Sequence, residues 1–385
     1  MTSSSPLKIA VAPNAFRGSL TALEAVACIE RGLRSSLLPC EIISMPLADG
    51  GDGTLDVWVS AKEGRRLSQA VTGPRGQPVV AEYGMTGDTA LVEMARASGI
   101  ELLAPDERDP LLTTTYGTGE LIRAAVMAGA RRIMVGVGGS ATVDGGAGCL
   151  QALGGRLLDR DGASIPPGGG GLGHLARIDL SPVQELLSDV ILQVLCDVDN
   201  PLLGPEGAAP VFGPQKGADA AAVRTLSENL AHFAAELAVA TGVDVGTERG
   251  AGAAGGLSAG LMAGASAELV SGVEALIEDC GYAAVLSEAD IALIITGEGK
   301  LDSQTGGGKA PLGIARQAAK RAIPVVAFAG SVTASVVELR RWNIQAAWSI
   351  VPHPCTLDQA VANAAPWLEA AATHLGNALA LDLHR

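Results

Sequence analysis

Five short clusters that mix glycine with carboxylate, amide, hydroxyl and basic side chains hold most of the chemistry this sequence can offer. The longest, Gly136-Val-Gly-Gly-Ser-Ala-Thr-Val-Asp-Gly-Gly-Ala-Gly148, runs from an apolar stretch into a helical one. Successive backbone N–H groups at a helix start cradle an anion, and Ser140 and Thr142 add hydroxyls for phosphate oxygens. Gly138, Gly139 and Asp144 share that turn. Cys196-Asp-Val-Asp-Asn-Pro201 places Asp197 at a strand end as a candidate general base, with Asn200 nearby. Phe212-Gly-Pro-Gln-Lys-Gly217 brings Gln215 and Lys216, the lysine a compact point charge suited to phosphate. A plain turn at Asp199-Asn200-Pro201, capped by Asp197, is the competing reading.

The other clusters lie nearer the two ends. Pro13-Asn-Ala-Phe-Arg-Gly-Ser19 offers Asn14, Arg17 and Ser19. Arg17 can grip a carboxylate or phosphate through paired N–H donors, or stand as a surface arginine ahead of a helix. In Ala48-Asp-Gly-Gly-Asp-Gly-Thr54, Asp49 and Asp52 could hold Mg²⁺ or meet a substrate hydroxyl, or cap the following helix. Thr296-Gly-Glu-Gly-Lys-Leu-Asp-Ser-Gln-Thr305, with Gly308-Lys309 after it, gathers Glu298, Lys300, Asp302, Gln304 and Lys309 into one expected loop. Both signs of charge there suit a Mg-bound polyphosphate. Acids, glycine loops, hydroxyls and a few cations are the inventory of phosphoryl transfer, where catalysis is mostly positioning and charge neutralisation.

Other chemistries fail on spacing. Neither Gly299-Lys300 nor Gly308-Lys309 has the upstream glycine and following Ser/Thr of a P-loop. Gly136, Gly138 and Ala141 fit a dinucleotide fingerprint only loosely, which leaves an NAD-dependent 2-hydroxy-acid dehydrogenase as a rival reading. Gly250-Ala-Gly-Ala-Ala-Gly255 follows Thr247-Glu-Arg249 and no apolar strand, so it reads as close helix packing. The histidines form no ligand-spaced set, and the six cysteines, with no CxxC, read as buried small hydrophobes in a reducing compartment. A net charge of −14, with basic residues no denser than pairs, argues against a nucleic-acid partner; a non-catalytic hydroxy-acid sensor, the second rival, would need a DNA-binding or partner segment, and none is visible. Without a signal h-region or membrane span, a soluble cytoplasmic protein is expected, with a homo-oligomer left open.

Strands and helices must position these groups. Apolar runs at 8–13, 41–46, 291–296, 324–329 and 346–351 alternate with helical patterns at about 20–38, 310–321, 333–341 and 357–380. Five such strands suffice for a doubly wound parallel sheet, whose ligands bind outside the carboxyl ends of the strands. Between them, runs at 79–83, 90–94, 133–137 and 190–195 are set among Gly/Pro-rich loops. A discontinuous domain, 1–70 with 290–385, and a second α/β domain inserted at 71–289 would explain why the ends look alike; two sequential domains remain the alternative.

The six segments, quoted as Pro13-Asn-Ala-Phe-Arg-Gly-Ser-Leu20, Ala48-Asp-Gly-Gly-Asp-Gly-Thr54, Gly138-Gly-Ser-Ala-Thr-Val-Asp-Gly-Gly146, Asp197-Val-Asp-Asn-Pro-Leu202, Phe212-Gly-Pro-Gln-Lys-Gly-Ala218 and Thr296-Gly-Glu-Gly-Lys-Leu-Asp-Ser-Gln304, closely resemble the bacterial glycerate kinase family. That resemblance runs over nearly the whole chain. It implies ATP-dependent phosphorylation of D-glycerate with Mg²⁺, most often at the C2 hydroxyl, the 3-kinase being the alternative. It also implies a flavodoxin-like domain formed by both termini with a second α/β domain inserted. On this footing Asp197 would accept the hydroxyl proton, the 138–146 loop and Lys216 would hold phosphate oxygens, and Arg17 would pair with the glycerate carboxylate. Asp49 with Glu298 or Asp302 would hold the metal. Arg17 stands where many members have Lys, Asp52 where Glu is usual and Val143 where Asn is frequent.

Overall fold

Short β-branched and alanine-rich runs closed by Pro or Gly do form the strands, as a computed structural model describing residues 6–302 and 310–381 shows. The chain divides into two compact units, residues 1–49 with 273–385, and residues 50–272.

The first unit contains β1 (Leu7–Pro13), β2 (Cys40–Ser44), β11 (Ile291–Leu301), β12 (Val325–Val332) and β13 (Ala346–Ser349). All pair in parallel, in the order β13-β12-β11-β1-β2. Counted within the unit this is 2-1-3-4-5, the flavodoxin-like order, whose direction reverses between β1 and β11. The helix Ala22–Arg34 starts where the sequence says: Thr21 caps it and Glu24 completes a capping box. It packs on the helix Ala364–Leu379 so closely that a Cβ at Gly32 would lie 2.3 Å from the Glu369 carbonyl oxygen. The single helix expected over 357–380 is two, Leu357–Ala362 and Ala364–Leu379, because Pro366 fits only a first turn.

The second unit holds β3 (Arg65–Thr72), β4 (Pro78–Thr86), β5 (Thr89–Glu93), β6 (Arg132–Gly136), β9 (Ile191–Leu195) and β10 (Glu268–Val270) in one sheet, ordered β10-β9-β6-β5-β4-β3. A hairpin of β7 (Arg156–Leu158) and β8 (Arg177–Asp179) stands apart. The four strands β10, β9, β6 and β5 are parallel, while β4 and β3 add an antiparallel edge. The unit boundaries fall at 49/50 and 272/273, not at 70/71 and 289/290 as the composition suggested. Strand β3 pairs with β4 along its whole length, and the helix Thr54–Ala61 packs on β4 and β5, so residues 50–72 go with the second sheet. At the other end Val273 packs against Gly313 and the helix Tyr282–Glu288 against Ala310–Ala319, which ties 273–289 to the first. Among the described residues no helix is long and apolar enough to cross a membrane.

Candidate active site

In the second unit three parallel strands end level with one another. Gly136 of β6 pairs with Leu195 of β9, and Leu195 pairs with Val270 of β10, so the chain leaves all three at the same edge. The segments that emerge there are the 138–146 loop, Asp197 and Ser271, which neighbouring strands hold about 5 Å apart. The Asp197 Oδ1 accepts the Ser271 hydroxyl at 2.8 Å and the Gly272 N–H at 3.1 Å, fixing one face of a half-buried carboxylate.

Glycines let a second segment lie over this edge. The Gly138 N–H donates to the Gly50 carbonyl, and a Cβ on Gly138 would sit 2.5 Å from the Gly51 Cα. A Cβ on Gly139, whose φ is +68°, would meet the Asp52 Oδ1 at 2.5 Å. Asp52 is therefore exposed beside the loop that the sequence proposed as an anion cradle. Glu93 at the end of β5 secures the arrangement: it is buried, its Oε1 accepts the Leu55 N–H in the first turn of the helix Thr54–Ala61, and its Oε2 takes the Arg96 Nε at 2.7 Å. Burial raises the Glu93 pKa, with Arg96 acting in opposition.

Lys216 is 2% exposed, and its ammonium donates to the Ser140 Oγ and to the Thr142 carbonyl, both at 2.7 Å. Burial pulls its pKa down to about 7 against the pull of Asp144. The Thr142 hydroxyl is buried and has no hydrogen-bond partner among the described residues. Asp144 works differently from the sequence expectation of a phosphate-side residue. It is fully buried and accepts the Thr115 N–H (2.8 Å) and hydroxyl (2.9 Å), with the Gly146 and Gly148 N–H groups. Burial raises its carboxyl pKa, opposed by those hydrogen bonds. Its task is to hold the loop's shape and the starts of the helices Tyr116–Met127 and Ala147–Ala152. Asn200 also turns inward on its own loop, donating to the Glu206 carbonyl at 2.8 Å, while Gln215 is exposed in the short turn before Lys216. Cys149 and Cys196 are buried hydrophobes, Cys149 with its thiol pKa pushed up and Cys196 up to about 11, which suits neither to nucleophilic work.

The first unit gathers its own candidates at the β1/β11 reversal. The Asn14 N–H donates to the Gly297 carbonyl, its side-chain amide reaches the Asp49 Oδ2 at 3.4 Å, and its Oδ1 accepts from Ala15 N–H. Ser19 is spent locally on the Phe16 carbonyl at 2.8 Å. Arg17 is exposed and makes no hydrogen bond or ion pair among the described residues. The fifth cluster is not a loop as expected: β11 continues through Gly297 to Leu301, paired with β12. Glycine is what permits it, since a Cβ on Gly297 would lie 2.4 Å from the Phe328 carbonyl oxygen. The two-residue period then puts buried Thr296, Glu298 at 5% exposure and Lys300 on one face. Lys300 meets Asp302 at 2.9 Å, pairing a cation and a carboxylate that the sequence assigned separately to phosphate and metal. Gln304 and Lys309 lie outside the described residues.

Among the described residues no three His, Cys, Asp or Glu groups cluster as a metal cage. Mg²⁺ needs none, since it takes one or two carboxylates and keeps waters beside substrate phosphates. The hard oxygen donors Asp49, Glu298, Asp302 and Asp52 fit that requirement in kind.

Glu93 and Arg96 did not stand out in the sequence. Glu93 had a signal, being the sole charge in the apolar run 90–94; Arg96 had none.

Known proteins are similar to this chain along nearly its whole length. The profile of the glycerate kinase family matches residues 9–380. A Bacillus subtilis (strain 168) glycerate kinase is 48% identical over 97% of this chain and 98% of its own length. A glycerate 2-kinase of Escherichia coli (strain K12) is 44% identical over 98% and 99% respectively. The crystal structure of a Salmonella typhimurium LT2 protein carrying the provisional name glycerate kinase 2 has a TM-score of 0.84 at 44% identity, covering 97% of this chain and 98% of that one.

Proposed function

The chain belongs to the glycerate kinase family, and from that premise we propose how its own residues carry out ATP-dependent phosphorylation of D-glycerate at the C2 hydroxyl. The products are 2-phosphoglycerate and ADP. The observation that carries the reading is Lys216, a buried ammonium pinned to a glycine loop by Ser140 and Thr142. Its charge and the loop N–H groups stabilise the transferring phosphoryl oxygens. The C2 hydroxyl oxygen attacks the γ-phosphorus, the bond to the bridging oxygen breaks, and ADP leaves with that oxygen. Asp197 takes the hydroxyl proton, its second oxygen steadied by Ser271 and Gly272. Arg17, exposed and making no hydrogen bond or ion pair among the described residues, is assigned the glycerate carboxylate.

Asp49 with Glu298, or with Asp302, is the proposed holder of Mg²⁺, as hard oxygen donors of the kind that ion takes. When bound, the ion supplies neutralisation of phosphate charge. Six free cysteines fit a reducing, cytoplasmic setting.

ADP release from ATP and D-glycerate tests the assignment. Asp197→Asn is expected to lower kcat about 10²-fold or more with KM for ATP little changed, since a positioned base contributes on that order. A variant within about threefold of the unaltered chain removes Asp197 as base. Absence of ADP release by the unaltered chain removes the activity itself.

A further inference from the structure

Among the described residues of the second unit, Arg108 is the arginine with a guanidinium nitrogen buried and without an acceptor. Among the described residues the Arg108 side chain makes no ion pair or hydrogen bond, and its Nε is shut off from solvent with no acceptor. Its flanking acids are engaged elsewhere: Glu107 Oε2 accepts the Ala104 N–H and Asp109 Oδ1 the Leu111 N–H. A guanidinium cannot escape by shedding its proton, so the half-buried charge stands uncompensated. That is unexpected in a chain whose net charge is −14, where acidic partners are abundant.

The position of Arg108 explains what the charge is for. Its backbone lies against Gly217, the residue after Lys216: a Cβ there would come 2.1 Å from the Arg108 carbonyl oxygen and 3.1 Å from its Cβ. Gly217 has φ +97°, so glycine is required twice over for this approach. Five residues on, the Thr113 hydroxyl donates to the Ala141 carbonyl at 2.8 Å, tying the Arg108 segment to the same loop that holds Lys216. Lys216 has committed two of its three donors to Ser140 and Thr142. Arg108 has committed none.

We infer that Arg108 is a substrate-binding residue of the kinase, its guanidinium taking an oxyanion beside the Lys216 loop. The inference rests on the glycerate kinase reading for the identity of that oxyanion, which is a nucleotide phosphate or the hydroxy-acid carboxylate. Both present paired oxygens that match the donor fork.

Arg108→Gln and Arg108→Lys in the full chain, with ATP and D-glycerate varied separately, test it. R108Q raises one of the two KM values about tenfold or more, as loss of a charge-assisted pair does, while R108K recovers part of the loss. A rise in KM for ATP assigns the phosphate, and a rise for D-glycerate assigns the carboxylate. Thermal melting of both variants stays near the level of the unaltered chain, because no hydrogen bond or ion pair among the described residues is removed; if R108Q melts early, R108K still shows a smaller rise in the same KM. Both KM values within about twofold in folded variants overturn the inference. Equilibrium binding of ADP and of D-glycerate, each measured without turnover, separates this from the activity: affinity lost on R108Q in a chain that does not phosphorylate glycerate refutes the reaction and retains the oxyanion site.

Discussion

Residues of one type do opposite work in this chain according to what surrounds them. Asp144 and Asp197 both follow strands, yet Asp144 is spent on backbone N–H groups and the Thr115 hydroxyl while Asp197 keeps a half-buried carboxylate at the sheet edge. Sequence assigned Asp144 to phosphate binding and Asp197 to the base, since residue type and spacing do not reveal which way a side chain turns. Lys216 has the sharpest consequence. Its pKa falls from 10.5 to about 7 in the folded chain, so between those values the unfolded chain binds a proton the native one lacks. Stability therefore rises with pH across that window, and the charged form is disfavoured in the fold below it. Lys216→Met, which retains the stem and discards the charge, is expected to flatten the change in Tm between pH 7 and pH 9 and to raise KM for ATP. An unchanged pH slope in the variant would show that Lys216 does not titrate in that range.

Elements were legible wherever an apolar run ended on Pro or Gly, as at β1 and β6, because burial and punctuation coincide there. Strand β3 escaped, since an edge strand reading Arg-Arg-Leu-Ser-Gln-Ala-Val-Thr is mostly solvated and lacks an apolar signal. The extension of β11 escaped for the opposite reason: its glycines read as a turn, whereas they serve to let Phe328 come close. The Gly250–Gly255 run was legible as packing. Ala254, Gly255 and Gly256 are left-handed within the Ala253–Gly264 segment, and a Cβ on Gly255 would lie 2.0 Å from the Thr142 carbonyl oxygen that anchors Lys216. Gly53 has a similar positive φ but nothing within 4 Å. Gly53→Ala is expected to cost about 1–2 kcal/mol by denaturant melting, the left-handed strain alone. Gly255→Ala adds a backbone clash to that strain, so it costs more and also lowers kcat/KM. Equal losses at the two positions would mean that the 142–145 segment yields freely.

The whole molecule combines two sheets, and the places where the sequence was least informative are where they divide. Composition put the boundaries near 70 and 290, but strand pairing across β3–β4 and the packing of Val273 on Gly313 decide them at 49/50 and 272/273. Such long-range pairing leaves no local mark. The glycine excess, 50 of 385 residues, is likewise explained at this scale: Gly138, Gly139, Gly217 and Gly297 each admit a backbone or carboxylate that a side chain would exclude. These close approaches build strand ends suited to small anions in a chain of net charge −14. The central claim is transfer to the C2 hydroxyl, and product identity tests it directly. With ATP, Mg²⁺ and D-glycerate, enolase added alone should convert the product to phosphoenolpyruvate as ADP is released. A requirement for phosphoglycerate mutase before enolase can act would assign the C3 hydroxyl instead and contradict the account.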